Sequence, residues 1–321
     1  MYYRSDWPEL GLTSSIQCAP EESIRPGTDA LEHVQEVGVS GVVYRCIASK
    51  SHFESDLYGI PMWSLSLEIE DPAGTIGPHQ LDGLSVQKHV STVVSMTLAS
   101  PGLSNGYLFG KVVKGEPLSE SLLQLGFEKV EHRRMFRCQV RDLAFKGNGL
   151  PPDRFSILGL EGMPQGHLGR IRRQIKSLCE DAFRNTGFSR HFTDPVLLER
   201  LSGQEYISAV MELNFRHVPL EGFLLALDSW TQEVCGFTVV GRKPGLGRAT
   251  YTQLLSAVRE THRGKGIYQA LSQLLSQRLP RDATLLNVVQ AANQAIQRAY
   301  QGSGREHLAD TYVLRRCYGS D

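Results

Sequence analysis

The sequence predicts an α/β protein whose mixed, mostly antiparallel sheet is flanked by helices, preceded by a second domain of related design. Three observations lead there. The runs Phe223 to Leu227, Val234 to Val240 and Thr250 to Val258 follow one another with short turn-forming segments between them, which implies an antiparallel meander. A basic, glycine-containing loop then leads into an amphipathic helix in which Ile267, Leu271, Leu274 and Leu275 share a face. Finally, both halves of the chain close alike: a helix, a glycine (Gly126 or Gly304), then a strand ending in Arg-Cys or Arg-Arg-Cys. That parallel makes the first half a candidate degenerate copy of the second.

The 321 residues correspond to about two domains at roughly 150 residues each. Lys146 to Asp153, rich in Gly and Pro, reads as the linker, which places the domains at 1–150 and 151–321. Basic and acidic residues number 34 each, so bulk electrostatic attachment to nucleic acid has no support. Apolar residues at 41% and charged residues at 21% match ordinary globular usage and argue against wholesale disorder. No apolar run approaches the ~20 residues of a membrane span. Met1 to Pro8 lacks the apolar core of a secretory signal, so a cytoplasmic protein is expected. The six cysteines form no CxxC pair, and no metal site is expected; they read as small buried hydrophobes.

In the first half, residues 1–40 carry weak periodicity and read as a loosely ordered lead-in. Val42 to Ala48 reads as a strand, and Trp63, Leu65, Leu67 and Ile69 alternate with polar residues as in a half-buried strand. Val90 to Leu98 and Tyr107 to Val113 are further strand candidates. Leu118 to Leu125 reads as a helix stopped at Gly126, and Glu128 to Val140 as a strand. In the second half, Phe155 to Leu158 is a short strand. A helix follows with Ile171, Ile175, Leu178, Ala182 and Phe183 on one face. Arg170, Arg172, Arg173 and Lys176 fill most of the remaining circumference as a solvated face, an anionic partner being the other reading. Thr284 to Val289 is a strand, Asn293 to Gln301 a helix and Leu308 to Leu314 a last strand.

The loop from Val258 to Tyr268 carries the chemistry. Main-chain amides of such a turn, joined to a helix N-terminus, offer several donors and a partial positive charge to an anion. Gly264 and Gly266 let the backbone approach a ligand closely, and Arg263 and Lys265 add cations. A phosphate or pyrophosphate suits this arrangement. A Walker loop is excluded because no GxxxxGK[ST] is present, and a dinucleotide fold is disfavoured because the preceding strand continues a meander. An ordinary strand–helix turn with solvated basic residues is the bland alternative.

The order of elements resembles the GNAT superfamily of N-acetyltransferases. Its fingerprint, (Arg/Gln)-x-x-Gly-x-(Gly/Ala), is matched by Arg263 to Ile267, with Tyr268 standing where a small residue is usual. The second part of the pattern, Asn-x6-Tyr-x3-Gly, is matched by Asn293, Tyr300 and Gly304, with Arg305 in place of the usual Phe. The resemblance covers residues 154–316. Within it, Asn293 to Arg315 and Ser189 to Pro195 are similar to TDP-fucosamine acetyltransferase-like amino-sugar enzymes, which also carry an N-terminal partial copy without the CoA loop.

The resemblance implies an acyltransferase that moves an acetyl or related acyl group from acyl-CoA to a small-molecule amine, such as an amino sugar or a biosynthetic intermediate. It implies that the donor's pyrophosphate lies on the amides of Arg263, Gly264, Lys265, Gly266 and Ile267, beside Tyr268. Its pantetheine would follow the strand ending at Ala257 and Val258, splayed from its neighbour by a bulge. Asn293 would hold the pantetheine or the opening of its helix, and Tyr300 would protonate the leaving sulfur. For a general base the candidates are Glu221, His191, Asp194 and His262, with His262 better suited to flank the anion. Arg190, His191 and Asp194 lie in the segment that borders the acceptor in this fold. A carrier-bound or tRNA-bound acyl donor and a non-catalytic, CoA-binding regulator are the competing readings; monomer and homodimer are both compatible with the sequence.

Overall fold

The computed structural model describes residues 2–4, 32–39, 42–70, 84–103, 106–144, 154–183, 189–243 and 249–317. The expected linker at 146–153 and part of the loop from Gly241 to Gly247 lie outside them. The chain forms two compact units. Described residues of the first fall within Met1–Gln17, Arg25–Arg133 and Ala309–Asp321, and those of the second within Arg134–Leu308. The division therefore falls inside a strand, between Arg133 and Arg134, and the end of the last strand returns to the first unit.

The first unit contains β1 (Tyr2–Arg4), β2 (Glu32–Val39), β3 (Val42–Lys50), α1 (His52–Tyr58), β4 (Met62–Glu70), α2 (Leu84–Leu98), β5 (Tyr107–Val113), α3 (Pro117–Gln124) and the start of β6 (Glu128–Gln139). β2, β3 and β4 are antiparallel neighbours, β1 pairs antiparallel with β4, and β5 runs parallel to β4. Residues Thr311 to Cys317 complete this sheet, antiparallel to β5. Alternate residues of β3 (Val42, Tyr44, Cys46, Ala48) and β4 (Leu65, Leu67, Ile69) enter one core with Val86, Val90, Val93 and Val94 of α2. Gly126, with φ of 82°, follows α3 in the left-handed region expected at a helix end.

Two expectations are corrected in this unit. Val90 to Leu98 is not a strand but the second half of α2. Its valines favour strands locally, yet Val86, Val90, Val93 and Val94 fall at spacings of one helical face, and packing on β3 overrides propensity. Residues 32–39, included in the loosely ordered lead-in, form β2, paired with β3 along its length. His33 and Gln35 occupy half of the positions that face inward with Val37 and Val39, which hides the alternation.

The second unit holds the end of β6, then β7 (Phe155–Gly159), α4 (Gln165–Phe183), α5 (Arg190–Thr193), α6 (Pro195–Leu198), α7 (Gly203–His217), β8 (Phe223–Asp228), β9 (Val234–Lys243), β10 (Thr250–Val258), α8 (Ile267–Arg278), β11 (Thr284–Gln290), α9 (Gln294–Gln301) and the start of β12 (Glu306–Cys317). β8, β9 and β10 are the expected antiparallel meander, β7 pairs antiparallel with β8, and β11 joins β10 in parallel. Phe223, Leu225 and Leu227 of β8 pack with α4 and α7, whereas Leu224 and Ala226 pack with Ile267, Leu271 and Leu275 of α8. A strand covered on both faces reads as a continuous apolar run, which is what FLLAL is. α7 went unread in the sequence, although Ser202 and Glu205 form a complete capping box and Ile207, Met211 and Phe215 are spaced by one turn.

Leu225→Ala would open a cavity where no neighbour can collapse freely. The expected loss is about 2–5 kcal/mol, read as a lowered midpoint in chemical denaturation.

Candidate active site

The site begins with a broken ladder. β10 pairs with β11 only from Thr250 to Gln253, opposite Thr284 to Asn287. Its register with β9 shifts between Gln253 and Leu255, the expected bulge. Beyond that point β10 keeps its other neighbour: Ser256, Ala257 and Val258 remain opposite Thr238, Phe237 and Gly236 of β9. Arg259 N donates to Cys235 O at 2.8 Å. Main-chain groups alternate between the two edges of an antiparallel strand, so those of Ala257 turn to β9 and those of Val258 to the edge that β11 has left. The Val258 carbonyl on that edge accepts from Arg263 Nε at 3.3 Å.

At the end of β10 a single 3-10 turn, Glu260–His262, precedes the glycine loop. Gly264 and Gly266 have φ of 76° and 79°, a region costly for any side chain with a Cβ. Gly266 is the N-cap of α8, and Ile267 is buried at its first position. Lys265 Nζ is anchored on Thr261 O at 2.8 Å. Among the described residues, the amides of Gly264, Lys265, Gly266, Ile267 and Tyr268 find no acceptor, and Arg263, Gly264 and Lys265 are exposed. This donor set fits a pyrophosphate.

Tyr268 neither faces outward nor lies over the loop. Its hydroxyl donates to Gln253 Oε1 at 3.1 Å, across from α8 to the last paired residue of β10. Gln253 Oε1 also accepts from Asn287 Nδ2 at 2.5 Å, and Gln253 Nε2 donates to Thr238 Oγ1 at 2.8 Å and Ser256 Oγ at 2.6 Å. Tyr300 of α9 is buried beside these groups, its ring 6.1 Å from that of Tyr268 and 5.3 Å from that of Phe136. Its hydroxyl meets Tyr268 and Asn287. Burial pushes the Tyr300 phenol well above the ordinary tyrosine range and Tyr268 adds to the rise, while Arg305 and Asn287 pull it down. The group is held protonated, as a proton donor must be before it acts.

The other expected residues are scattered. Asn293 caps α9, its side chain accepting from Ile296 N at 3.3 Å. Glu221 is exposed in a 3-10 turn before β8, with no described partner. Arg190, His191 and Asp194 are all buried. His191 stacks flat on Tyr206 at 3.5 Å between centroids, and Asp194 caps α6 by accepting from Val196 N at 3.1 Å. His262 sits 3.7 Å from Asp228 and edge-on to Phe155. Its imidazole is held below the ordinary value, first by desolvation and then by the Lys265 charge, with Asp228 opposing.

Gln253, Asn287 and Arg305 join the cluster beside Tyr300 with no role read for them from the sequence. Asn287 carried a signal, since it interrupts the apolar row of Leu285 and Val289 on β11 opposite Gln253. Among the described residues no group of three or more His, Cys, Asp or Glu is placed to hold a metal, and no helix is long and apolar enough to cross a membrane.

A meander whose last strand splits from a parallel neighbour after a bulge, then a glycine turn and helix, defines the GNAT fold, and the chain has that fold. No family model and no curated protein matches the chain. Among solved structures it is similar to a GCN5-related N-acetyltransferase from Sphaerobacter thermophilus. The two share 14% identity at a TM-score of 0.50, over 86% of this chain and 80% of that one. It is likewise similar to a tandem GNAT protein from the clavulanic acid biosynthesis pathway, solved without acetyl-CoA. There the identity is 12% and the TM-score 0.50, over 88% of this chain and 86% of that one. At these identities the likeness is one of fold, and the tandem protein fits the two-unit organisation.

The His262 environment gives a pH signature. An imidazole whose folded pKa lies below its unfolded value binds fewer protons when folded, so its stabilising effect is complete above the usual 6.5 and is lost as pH falls below it. NMR titration should place His262 below 6.5 in the wild type, and Asp228→Asn should lower it further by removing the opposing charge.

Proposed function

We propose that the protein is a cytoplasmic N-acyltransferase that moves an acetyl or related acyl group from acyl-CoA to the primary amine of a small molecule, such as an amino sugar or a biosynthetic intermediate. The observation that carries this reading is the coincidence of three features in one unit. The opened edge of β10, the free amides at 264–268 and the buried Tyr300 phenol lie along the same strand–loop–helix path.

In this reading the amides of Gly264 to Tyr268, with Arg263 and Lys265, hold the donor's pyrophosphate. The vacated edge at Val258 pairs with the pantetheine amides, and the Val258 N–H faces the oxygen that becomes negative when the amine nitrogen attacks the thioester carbonyl. The new C–N bond forms as the C–S bond breaks, and the nitrogen gives its second proton to water as it becomes the amide. Tyr300 gives its proton to the departing sulfur, leaving a thiol and a phenolate. The acceptor ammonium loses its proton before attack, to water or to the exposed carboxylate of Glu221. The segment from Arg190 to Asp194 is the proposed border of the acceptor.

Tyr268 favours a second reading of the donor. Its side chain bridges from α8 toward Tyr300, where the fingerprint has only Gly or Ala. A carrier-bound or tRNA-bound acyl group would then replace free acyl-CoA, and a CoA-binding regulator without turnover is the remaining alternative.

Calorimetric titration with acetyl-CoA separates these. Micromolar binding abolished by Gly266→Asp supports the CoA donor; absence of binding by the wild type overturns it. With an amine that is acylated, Tyr300→Phe should lower kcat by about 10²-fold, the low end of general-acid contributions, and leave KM for the donor little changed.

A further inference from the structure

Arg305 stands at the entrance to β12, where the fingerprint carries Phe. It is only 3% exposed. Its Nε donates to Asn287 Oδ1 at 3.0 Å, its Nη1 bonds Ser303 Oγ, and its Cζ lies 4.8 Å from the centroid of the Tyr300 ring. Nη2 is enclosed and has no hydrogen-bond partner among the described residues, and no described carboxylate pairs with the guanidinium. Glu306, next in sequence, is bonded to Arg137.

Arginine remains charged under all ordinary conditions, and an enclosed charge without a counter-charge is destabilising. A phenylalanine would fill the same space without that cost. A compensating charge can arise on a group already in contact with the guanidinium. Tyr300 is that group: its ring lies under the guanidinium, and its hydroxyl becomes anionic on giving up a proton.

Asn287 supplies the second half of the argument. An amide can face a neighbour with either its oxygen or its nitrogen. Arg305 Nε takes the Oδ1 side, which leaves the Nδ2 side, a donor, for Gln253 and the Tyr300 hydroxyl. The groups that meet the phenol are thus one cation (Arg305), one second phenol (Tyr268 from α8) and one neutral amide (Asn287 from β11). β6 contributes the apolar ring of Phe136 and, next to the guanidinium, the buried Cys138 thiol.

We infer that Arg305 is the positioning residue for proton donation by Tyr300: it stabilises the phenolate with its charge and turns the Asn287 amide so that an N–H meets the same oxygen. This inference rests on the reading of Tyr300 as the proton donor. When the C–S bond breaks, the proton moves from Tyr300 Oη to sulfur, and the phenolate later recovers a proton that originates from the acceptor ammonium and arrives through water. Without Arg305 the buried phenol becomes a still weaker acid and a poorer proton donor to the departing sulfur.

The test is a fluorine NMR titration of the full chain with a difluorotyrosine at position 300, whose more acidic phenol ionises in an accessible range. Arg305→Met should raise the ionisation midpoint by about one pH unit or more, and Arg305→Lys should fall between the two. Arg305→Phe, which restores the fingerprint residue, should melt at or above the wild-type temperature while showing the same raised midpoint. A merely structural arginine predicts lost stability and an unmoved midpoint. Equal midpoints in wild type and the folded variants overturn the inference. A raised midpoint without a fall in kcat, in a protein whose Tyr300→Phe form also turns over normally, overturns the donor reading instead.

Discussion

Everything at the candidate site depends on one interruption of a hydrogen-bond ladder. β10 and β11 are parallel partners for four residues and then part at Gln253 and Asn287. An unpaired strand edge inside a protein is normally unfavourable because its amides and carbonyls lose water without gaining partners. Here the bulge after Gln253 lets β10 stay bonded to β9 while its other edge is left without a strand partner. The glycine loop is where it is because β10 ends there, and Tyr300 is where it is because α9 follows β11. Strand parting, glycine turn and buried phenol are therefore consequences of one backbone event.

The polar cluster that fills the parting is its chemical counterpart. Gln253 alone joins Thr238, Ser256, Asn287 and Tyr268, so side chains from β9, β10, β11 and α8 are fixed by one amide. Buried networks of this kind hold geometry only while every member is bonded. Tyr268 belongs to that network, which explains how a large residue is accommodated at a position where the fingerprint has a small one. Its phenol replaces neither glycine's space nor its flexibility; it extends the network toward α9.

Much of this was legible in the sequence, and the failures have physical causes. The meander, the loop with Gly264 and Gly266, and the cap–tyrosine pair of Asn293 and Tyr300 were readable because each is set by local spacing. The helix at Val90 to Leu98 was not, since β-branched residues favour strands until a tertiary partner imposes the other period. α7 hid behind polar residues despite its capping box. Gln253, Asn287 and Arg305 matter through one another across 18 to 34 positions of chain, and no local pattern records that. Arg190, His191 and Asp194 stand close in sequence, but their burial, the stacking of His191 on Tyr206 and the cap made by Asp194 depend on folding.

The return of residues 311–317 to β5 has a consequence for biogenesis. The first unit's sheet lacks a strand until residues 311–317 have left the ribosome, because that strand is encoded after the second unit. Nascent chains ordinarily fold from the N-terminus onward, domain by domain. Here the N-terminal unit must wait with β5 exposed along one edge while the second unit can condense first. Synthesis and completion thus run in opposite order, and the unfinished edge of β5 is the place where a chaperone or a misplaced strand would compete for the nascent protein.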